Sequence, residues 1–490
     1  MSLHTNATTA VDLAAKIRNG TVSPVDAVET SLDRIERQDD ELNAFITVLE
    51  EEARAAAKEA EAAVDSGDEL GPLHGVPVAV KDIMGMKAGV RHSFGLKELE
   101  DFVPDESSTF VKRIEAAGGI IVGKTSCPEL GHLGHTHNRI VGTTANPFDH
   151  SRSPGGSSGG SAAALAAGLV PLAQGSDGGG SLRMPASMCG VVSIKPTPGV
   201  VPFDFRPNGF VHCQPFLYAG PMARTVEDAA LFLDVMSGYS PSDPISLPNT
   251  GEEYLAATDN SIDGSKIGYT LDFDVWPVDQ RVRDIVEDAV QAFEETGAEV
   301  KKINVDIDRS LDELRDSWKA GWETFAAETA ELWKAEPFGL DFLANYSEDV
   351  NWTLINQIEQ GYEYSGVDLR MANIIRTEVF DTVQELFREY DFLVMPTIAI
   401  PPFDGSLHQG PSEIDGQEID PWQDWTLTWL FNQAPHPVMN VPAGFTDDGL
   451  PIGMQIVGPP HGDHDVIAAG AVFERERPWH DQYDALTELS

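Results

Sequence analysis

Length, composition and charge restrict the classes of protein to which this chain can belong. Its 490 residues suffice for about three average domains, or for one domain built on a single large sheet. The 41% hydrophobic and 23% charged residues are typical of a globular protein and exclude a disordered one. With 33 basic and 79 acidic residues the net charge is −46, so we expect neither a nucleic-acid partner nor a membrane partner.

The acidic excess and the cysteines also bear on the environment of the protein. Dense surface carboxylates keep a protein hydrated where salt screens their repulsion, and we interpret the excess as adaptation to high salt. An ordinary solvated acidic surface is the alternative. Cys127, Cys189 and Cys213 predict no disulfide framework, and the most apolar run, residues 161–173, is too short to span a bilayer. We therefore expect a cytoplasmic protein.

Hydrophobic periodicity divides the chain into four segments. They are a helical N-terminal segment at 1–70, a strand-and-loop core at 71–225, a mainly helical segment at 226–390, and a C-terminal return to the core sheet at 391–490. Helices are predicted after the capping pair Ser23-Pro24 and at 50–64, 282–296 and 373–390. Strands are predicted at 76–80, 120–122, 266–269, 392–395 and 451–457. This succession predicts one α/β domain.

Two glycine-rich loops, at 154–161 and 175–181, stand out in the core segment. Glycine lacks Cβ and lets the backbone approach a substrate closely. The N–H groups of Gly178, Gly179, Gly180 and Ser181 are candidates for an oxyanion hole, and the serine that ends the row is a candidate nucleophile. Flexible Gly-Ser loops are the alternative, which the flanking apolar segments disfavour.

Several motifs resemble those of the amidase signature family. They are Gly-Val-Pro at 75–77 with Lys81-Asp82, Gly-Gly-Ser-Ser-Gly-Gly-Ser at 155–161, Gly-Ser-Asp-Gly-Gly-Gly-Ser-Leu-Arg at 175–183, Gly-Lys-Thr at 123–125, Lys-Pro-Thr at 195–197, Gly-Pro-Met at 220–222 and Gly-Leu-Pro-Ile-Gly at 449–453. The resemblance covers most of the chain outside the helical middle. It implies an α/β fold, a single large domain with a central twisted mixed β-sheet covered by helices on both faces.

The resemblance also implies a catalytic triad and its supports. Lys81 would be the general base, Ser157 the proton relay and Ser181 the nucleophile, with a cis peptide bond before Ser157. The residues implied to support the loops are Ser158, Asp177 and Arg183. For Asp177 and Arg183 an ordinary surface ion pair is the alternative.

A lysine acts as a base only in its neutral form. Since the free pKa of lysine is about 10.4, burial must lower it. Val76, Val78 and Val80 predict such burial around Lys81. The neighbouring Asp82 would favour the charged form, but alternation along a strand sends it to the opposite face.

The implied reaction is hydrolysis of a carboxylic amide to a carboxylate and ammonia or an amine, through an acyl-enzyme on Ser181 and without metal or cofactor. We expect a small-molecule amide with a linear carbon–nitrogen bond as substrate, the general amidase subclass, and a homodimer as a permitted assembly.

One alternative is the glutamine-hydrolysing subunit of a tRNA amidotransferase. Such subunits use an acidic residue to recognise glutamine. The corresponding position in this sequence is Trp425, and Asp424 is one position away. The other is a catalytically silent binding protein, which the intact triad disfavours.

Tryptophans recur at helix-like intervals, at 422, 425 and 429, shortly before Asn432. Packing in the core is the first interpretation. If one face reaches the site, Trp425, Trp429 and Asn432 would line the substrate pocket and favour a bulky apolar or aryl acyl group.

Two further patterns suggest functions that we reject. Residues 118–125 match a phosphate-binding loop, but the run at 120–122 is strand-like and Pro128 follows soon after, where a helix would be needed. The histidines at 132, 135 and 137 suggest zinc, but the intervening glycines and the missing Cys or Glu ligand argue against it.

Overall fold

Helices and strands alternate along the computed structural model, which describes residues 8–248, 251 and 253–487. The α-helices of this part are α1 (Ala10–Arg18), α2 (Pro24–Leu42), α3 (Glu50–Ser66), α4 (Thr109–Ala116), α5 (Gly159–Ala166), α6 (Arg183–Met188), α7 (Val226–Met236), α8 (Gln280–Val290), α9 (Ala292–Glu295), α10 (Leu311–Trp333), α11 (Phe342–Asn345), α12 (Trp352–Glu363), α13 (Gly366–Leu386), α14 (Asp463–Glu476) and α15 (Asp484–Thr487). The strands are β1 (Phe45–Val48), β2 (Pro77–Lys81), β3 (Ile120–Thr125), β4 (His137–Asn138), β5 (Gly142–Thr143), β6 (Leu172–Asp177), β7 (Val192–Lys195), β8 (Tyr218–Ala223), β9 (Lys266–Tyr269), β10 (Glu299–Lys302), β11 (Phe392–Pro396), β12 (Glu413–Ile414), β13 (Gln417–Glu418), β14 (Val438–Phe445) and β15 (Pro451–Val457).

Within the described residues, 11 strands form one mixed sheet, in the order β1-β3-β2-β6-β8-β7-β14-β15-β11-β9-β10. β3, β2 and β6 run parallel to one another, as do β11, β9 and β10, and the other neighbours are antiparallel. The register pairs Lys81 with Thr125 and Val80 with Gln174. Because parallel strands end at the same edge of a sheet, Lys81 and Asp177, the last residues of β2 and β6, lie at one edge.

Both faces of the sheet are covered. β2, β6 and β15 are buried along their whole length, so side chains that point to either face are removed from water. Helices from every part of the described chain pack against the strands, among them α5 on β6 and α14 on β14. The predicted α/β fold, with a large mixed sheet between helices, is confirmed.

The element predictions hold best for strongly patterned segments. Ser23 caps α2 by accepting a 3.0 Å hydrogen bond from Val25 N. The predicted elements that the structure contains are α3, α8 with α9, α13, β2, β3, β9, β11 and β15. Two strands were not predicted, β1 in the first segment and β10 in the third. Both are four-residue strands, and β10 is the outermost strand of its edge, where polar side chains replace an apolar pattern.

The long helix α10 carries aromatic side chains to the carboxyl edge of the sheet. It begins at a capping box in which Ser310 and Glu313 bond to each other's backbone N–H groups. Its buried face includes Trp318, Trp322 and Trp333. None of the helices in the described part of the chain combines the length and apolar character that a membrane span requires.

Candidate active site

Lys81 ends β2 in the interior of the protein. Its side chain is fully buried, and Nζ lies 2.7 Å from Ser157 Oγ and 2.9 Å from Ser176 Oγ. Burial lowers the pKa of Lys81 to about 7, against smaller raising effects of Cys127 and Asp177. A substantial fraction of this lysine is therefore neutral near neutral pH, and the neutral amine can accept a proton from Ser157.

Asp82, the next residue, has its partners elsewhere. Its Oδ1 lies 3.3 Å from both Lys124 Nζ and His92 Nδ1, and its Oδ2 accepts a 2.9 Å hydrogen bond from Ser93 N. Burial would raise the pKa of Asp82, but Lys124 and His92 outweigh that effect and hold the pKa below its usual range. Asp82 is the first residue after β2, and its carboxylate is directed to Lys124 and His92, away from Lys81.

Two loops carry the serines of the predicted site, and they bond to each other. The Gly156–Ser157 peptide bond is cis, as the family resemblance implies. Ser158 N donates to Ser181 O at 3.2 Å, and Ser176 N donates to Ser158 Oγ at 3.2 Å. Ser157 and Ser181 are both buried and line the same cavity. The loops are fixed by these contacts, which excludes the alternative of flexible Gly-Ser segments.

The carboxylate of Asp177 organises the second loop. It accepts hydrogen bonds from Gly180 N at 2.7 Å, Asn432 Nδ2 at 2.9 Å and Arg183 Nε at 2.9 Å. Burial would raise the pKa of Asp177, but Arg183 and Asn432 hold it below its usual range. Since both Asp177 and Arg183 are fully buried, they are not a surface ion pair. The N–H of Gly180 is occupied, so Gly180 leaves the set of predicted oxyanion donors.

Arg183 connects this loop to the C-terminal segment. Its Nη2 donates to Asn432 Oδ1 at 2.8 Å, and its Nη1 donates to Thr428 O at 2.9 Å and to Gln455 Oε1 at 3.1 Å. Asn432 is therefore part of the network that supports the loop. Its assignment to the substrate pocket is corrected, because both ends of its amide are used in this network.

The remaining glycines of the row are oriented through their carbonyl groups. Gly178 O accepts a 3.3 Å hydrogen bond from Trp318 Nε1, and Gly179 O accepts one of 2.6 Å from Thr428 Oγ1. In a trans peptide the N–H points away from the preceding C=O, so the Trp318 contact turns the N–H of Gly179 to the opposite side. Among the described residues, the N–H groups of Gly178, Gly179 and Ser181 donate to no protein acceptor.

The cavity beside the two serines is apolar and narrow, with a volume of about 50 Å³. Its wall combines aliphatic residues with five aromatic side chains, which are Phe94, Phe205, Trp322, Phe325 and Trp333. No residue of the described cavity lining carries a charge. Such a wall is suited to an apolar or aryl group of a substrate.

Trp425 and Trp429 lie away from this cavity, which corrects their assignment to the substrate pocket. Trp425 packs on Phe403, with ring centroids 5.2 Å apart, and Trp429 packs on Trp276, also at 5.2 Å. Both are fully buried core residues. The first interpretation of these tryptophans, packing, is the one that the structure supports.

Comparisons with known proteins agree with this geometry. The amidase family model matches residues 26–467. An acylamidase of Rhodococcus erythropolis is 35% identical over 478 residues, which cover 97% of each chain. A glutamyl-tRNA(Gln) amidotransferase subunit of Carboxydothermus hydrogenoformans is 32% identical and covers 96% of this chain and 97% of its own. The crystal structure of a bacterial aryl acylamidase of the amidase signature enzymes superposes with a TM-score of 0.93, at 36% identity and 98% coverage of both chains.

The chain belongs to the amidase signature family. It is accordingly an amidase-family hydrolase that acts on amides. In this amidase the motifs that reach the cavity lie at β2 and in the two serine loops, whereas the helical middle contributes side chains that no motif indicated. Trp318 and Trp322 are four residues apart on α10 and therefore share one face of the helix. This spacing predicts that the two side chains share a buried helix face, but it does not predict which residues that face contacts.

The two rejected patterns have structural roles in this amidase. Lys124 lies in β3, and its Nζ donates to Gly85 O at 2.6 Å, so it is not at the start of a helix facing a phosphate. His132 lies 2.6 Å from Glu129 O through Nδ1 and 2.7 Å from Thr353 Oγ1 through Nε2. Within the described residues, no group of three or more His, Cys, Asp or Glu side chains could hold a metal ion.

The buried pair gives a stability prediction. Arg183→Met should lower the free energy of unfolding by about 3–5 kcal/mol, because it leaves the Asp177 carboxylate buried without its cation. Arg388→Met is the matched control, since the Arg388 side chain is 77% exposed and, among the described residues, forms an ion pair with Glu385 alone, and it should cost less than about 1 kcal/mol. Urea denaturation of both variants measures the difference, and equal midpoints would contradict the assigned role.

Proposed function

We propose that this amidase hydrolyses small-molecule amides through an acyl-enzyme on Ser181, with Ser157 as proton relay and Lys81 as general base. The observation that carries the proposal is the 2.7 Å contact between Lys81 Nζ and Ser157 Oγ in a fully buried setting. Ser181 lines the same cavity as Ser157 and ends the glycine row. A nucleophile, a relay and a base are thereby available in one site.

In the acylation step, neutral Lys81 takes the proton of Ser157, and Ser157 takes the proton of Ser181 as the Ser181 oxygen bonds to the amide carbon. The carbonyl π bond opens, and the negative charge moves to its oxygen. The carbon–nitrogen bond then breaks while Ser157 protonates the nitrogen and regains its own proton from Lys81. A water molecule, deprotonated along the same relay, hydrolyses the ester to release the carboxylate and free Ser181.

The oxyanion would be stabilised by the backbone at the start of α6. The N–H groups of Gly178, Gly179 and Ser181 are the donors left after Gly180 N is bound by Asp177. Contacts from Trp318 and Thr428 fix the carbonyls, so the donors need no reorganisation when charge develops.

The nucleophile is tested by substitution and by covalent labelling. Ser181→Ala should lower amide turnover by at least about ten-thousandfold, because the acyl-enzyme can no longer form. It should also abolish labelling by a fluorophosphonate probe. Ser66→Ala, which changes an exposed serine at the end of α3, should leave both unchanged. A Ser181→Ala enzyme that still turns over amides would exclude the scheme, and an unlabelled wild-type enzyme would favour a silent binding protein.

The base is tested by the pH profile. Because burial lowers the pKa of Lys81 to about 7 and only the neutral amine accepts a proton, kcat/KM should rise with pH through about 7 and then level off. Below this point it should fall about tenfold per pH unit. A neutral amide substrate is used so that only the enzyme titrates. A flat profile, or a rate that falls as pH rises, contradicts the role of Lys81.

The cavity favours apolar acyl groups over glutamine. The Asp424 carboxylate, one position from where the amidotransferase acid is expected, pairs with Arg315 at 2.9 Å and does not line the cavity. The charged amino and carboxylate groups of glutamine would meet an uncharged, aromatic wall, and their desolvation is costly. The similarity to an acylamidase and an aryl acylamidase supports the same preference.

This preference is tested by a substrate panel. Phenylacetamide or benzamide should be hydrolysed with a kcat/KM at least about a hundredfold above that for glutamine, since leaving buried charges unpaired is strongly penalised. Release of ammonia is the readout. Glutamine hydrolysis at a comparable rate, or one that depends on a stable partner complex, would favour the amidotransferase function.

A further inference from the structure

The wall of the cavity beside Ser157 has an unusual backbone. Met84, Phe94 and Leu130 line the cavity, and all three have left-handed φ angles, of 64°, 56° and 50°. Non-glycine residues rarely adopt this conformation, and it persists only where the surrounding structure imposes it. The concentration of such residues here indicates that the position of the wall is imposed by the fold.

Hydrogen bonds tie the three segments of this wall together. Leu130 N donates to Phe94 O at 2.9 Å. Ser93, beside Phe94, donates its N–H to Asp82 Oδ2 at 2.9 Å. Lys124 Nζ donates to Gly85 O, beside Met84, at 2.6 Å. The buried Asp82–Lys124 pair is therefore hydrogen-bonded to the segments next to Phe94 and Met84. These bonds restrict movement of the wall away from a bulky group.

Gly131 is the point at which this wall comes closest to the relay serine. A Cβ at position 131 would lie 3.1 Å from Ser157 Oγ and 3.1 Å from Ile83 Cδ1. The first distance is shorter than an ordinary van der Waals contact, and Gly131 and Ile83 both line the cavity. A side chain at 131 would therefore press on the hydroxyl group of Ser157 and on Ile83, and its absence lets this wall approach Ser157 closely.

The proposed reaction predicts which part of the substrate lies next to Gly131. The scheme places the leaving nitrogen within hydrogen-bonding distance of Ser157 Oγ, and it places the carbonyl oxygen at the glycine row. A substituent on the nitrogen must then extend from Ser157, where Gly131 and Ile83 form the nearest wall. We propose that Gly131, together with Ile83, sets the size of the leaving amine that this enzyme accepts. The inference rests on the proposed function, because it uses Ser157 as the proton donor to nitrogen.

The test compares two substrates with the same acyl group, butyramide and butyranilide. Gly131→Ala should lower the ratio of kcat/KM for the anilide over the primary amide by about tenfold or more, because the added methyl group narrows the cavity where it meets Ser157 and Ile83. Ile83→Val shortens the opposite side chain and should raise the same ratio. Opposite shifts from the two variants are the result expected.

Controls separate this effect from general damage. Gly67→Ala is the matched control for Gly131→Ala, because the two glycines have similar φ angles of 72° and 70°. They differ in that the Cβ position of Gly67 is surrounded by open space. It reports the cost of a left-handed alanine and should leave the ratio unchanged. Fluorophosphonate labelling, which releases no amine, should proceed at the wild-type rate in Ile83→Val and Gly67→Ala, and in Gly131→Ala it measures any displacement of Ser157.

The outcomes distinguish the inference from the function on which it rests. Equal losses on both substrates with slowed labelling, or an unchanged ratio in both Gly131→Ala and Ile83→Val, would overturn the role of Gly131. If Gly131→Ala does not fold, Ile83→Val decides alone: a raised ratio supports the inference and an unchanged ratio overturns it. If the wild-type enzyme fails to hydrolyse amides and is not labelled, the proposed function itself is wrong.

Discussion

The site depends on the burial of a lysine whose amine contacts two hydroxyl groups and, within the described part of the chain, no carboxylate. Lys81 and Lys124 are both fully buried on neighbouring strands, but Lys124 lies 3.3 Å from Asp82, whereas Lys81 contacts the hydroxyls of Ser157 and Ser176. Without a carboxylate to offset desolvation, burial favours the neutral amine of Lys81. In a protein of net charge −46 this separation is essential, because a single misplaced carboxylate would return Lys81 to its protonated form.

A second buried interaction shapes the backbone that faces this lysine. The Asp177–Arg183 pair gathers the serine loop, Asn432 and Gln455 into one network, so residues from distant parts of the chain determine the path of four consecutive peptides. A buried ion pair adds less to stability than its Coulomb energy suggests, because both charges must be desolvated. Its contribution here is to geometry. The Asp177 carboxylate accepts a hydrogen bond from Gly180 N, whereas the neighbouring N–H groups of the glycine row donate to no acceptor among the described residues.

The motif-bearing strands and the helical middle contribute different things to the site. β2 carries Lys81, and the two glycine-rich loops carry Ser157 and Ser181. α10 adds three of the aromatic residues of the cavity and the indole that orients Gly178. One framework can therefore serve relatives with different names, such as an acylamidase and a component of an amidotransferase. The substrate class depends on the walls more than on the fold.

The sequence by itself predicted the fold class and the strongly apolar strands, and it proposed Lys81, Ser157 and Ser181 as candidates, because local pattern and motif order can be read along the chain. It did not predict β1, a strand of four residues within a helical segment, β10, which is polar, or the loss of Gly180 from the donor set. Tertiary structure alone decided that Trp322 and not Trp425 lines the cavity. The physical reason is that periodicity shows that a side chain is buried, whereas the identity of its neighbours depends on how distant segments pack.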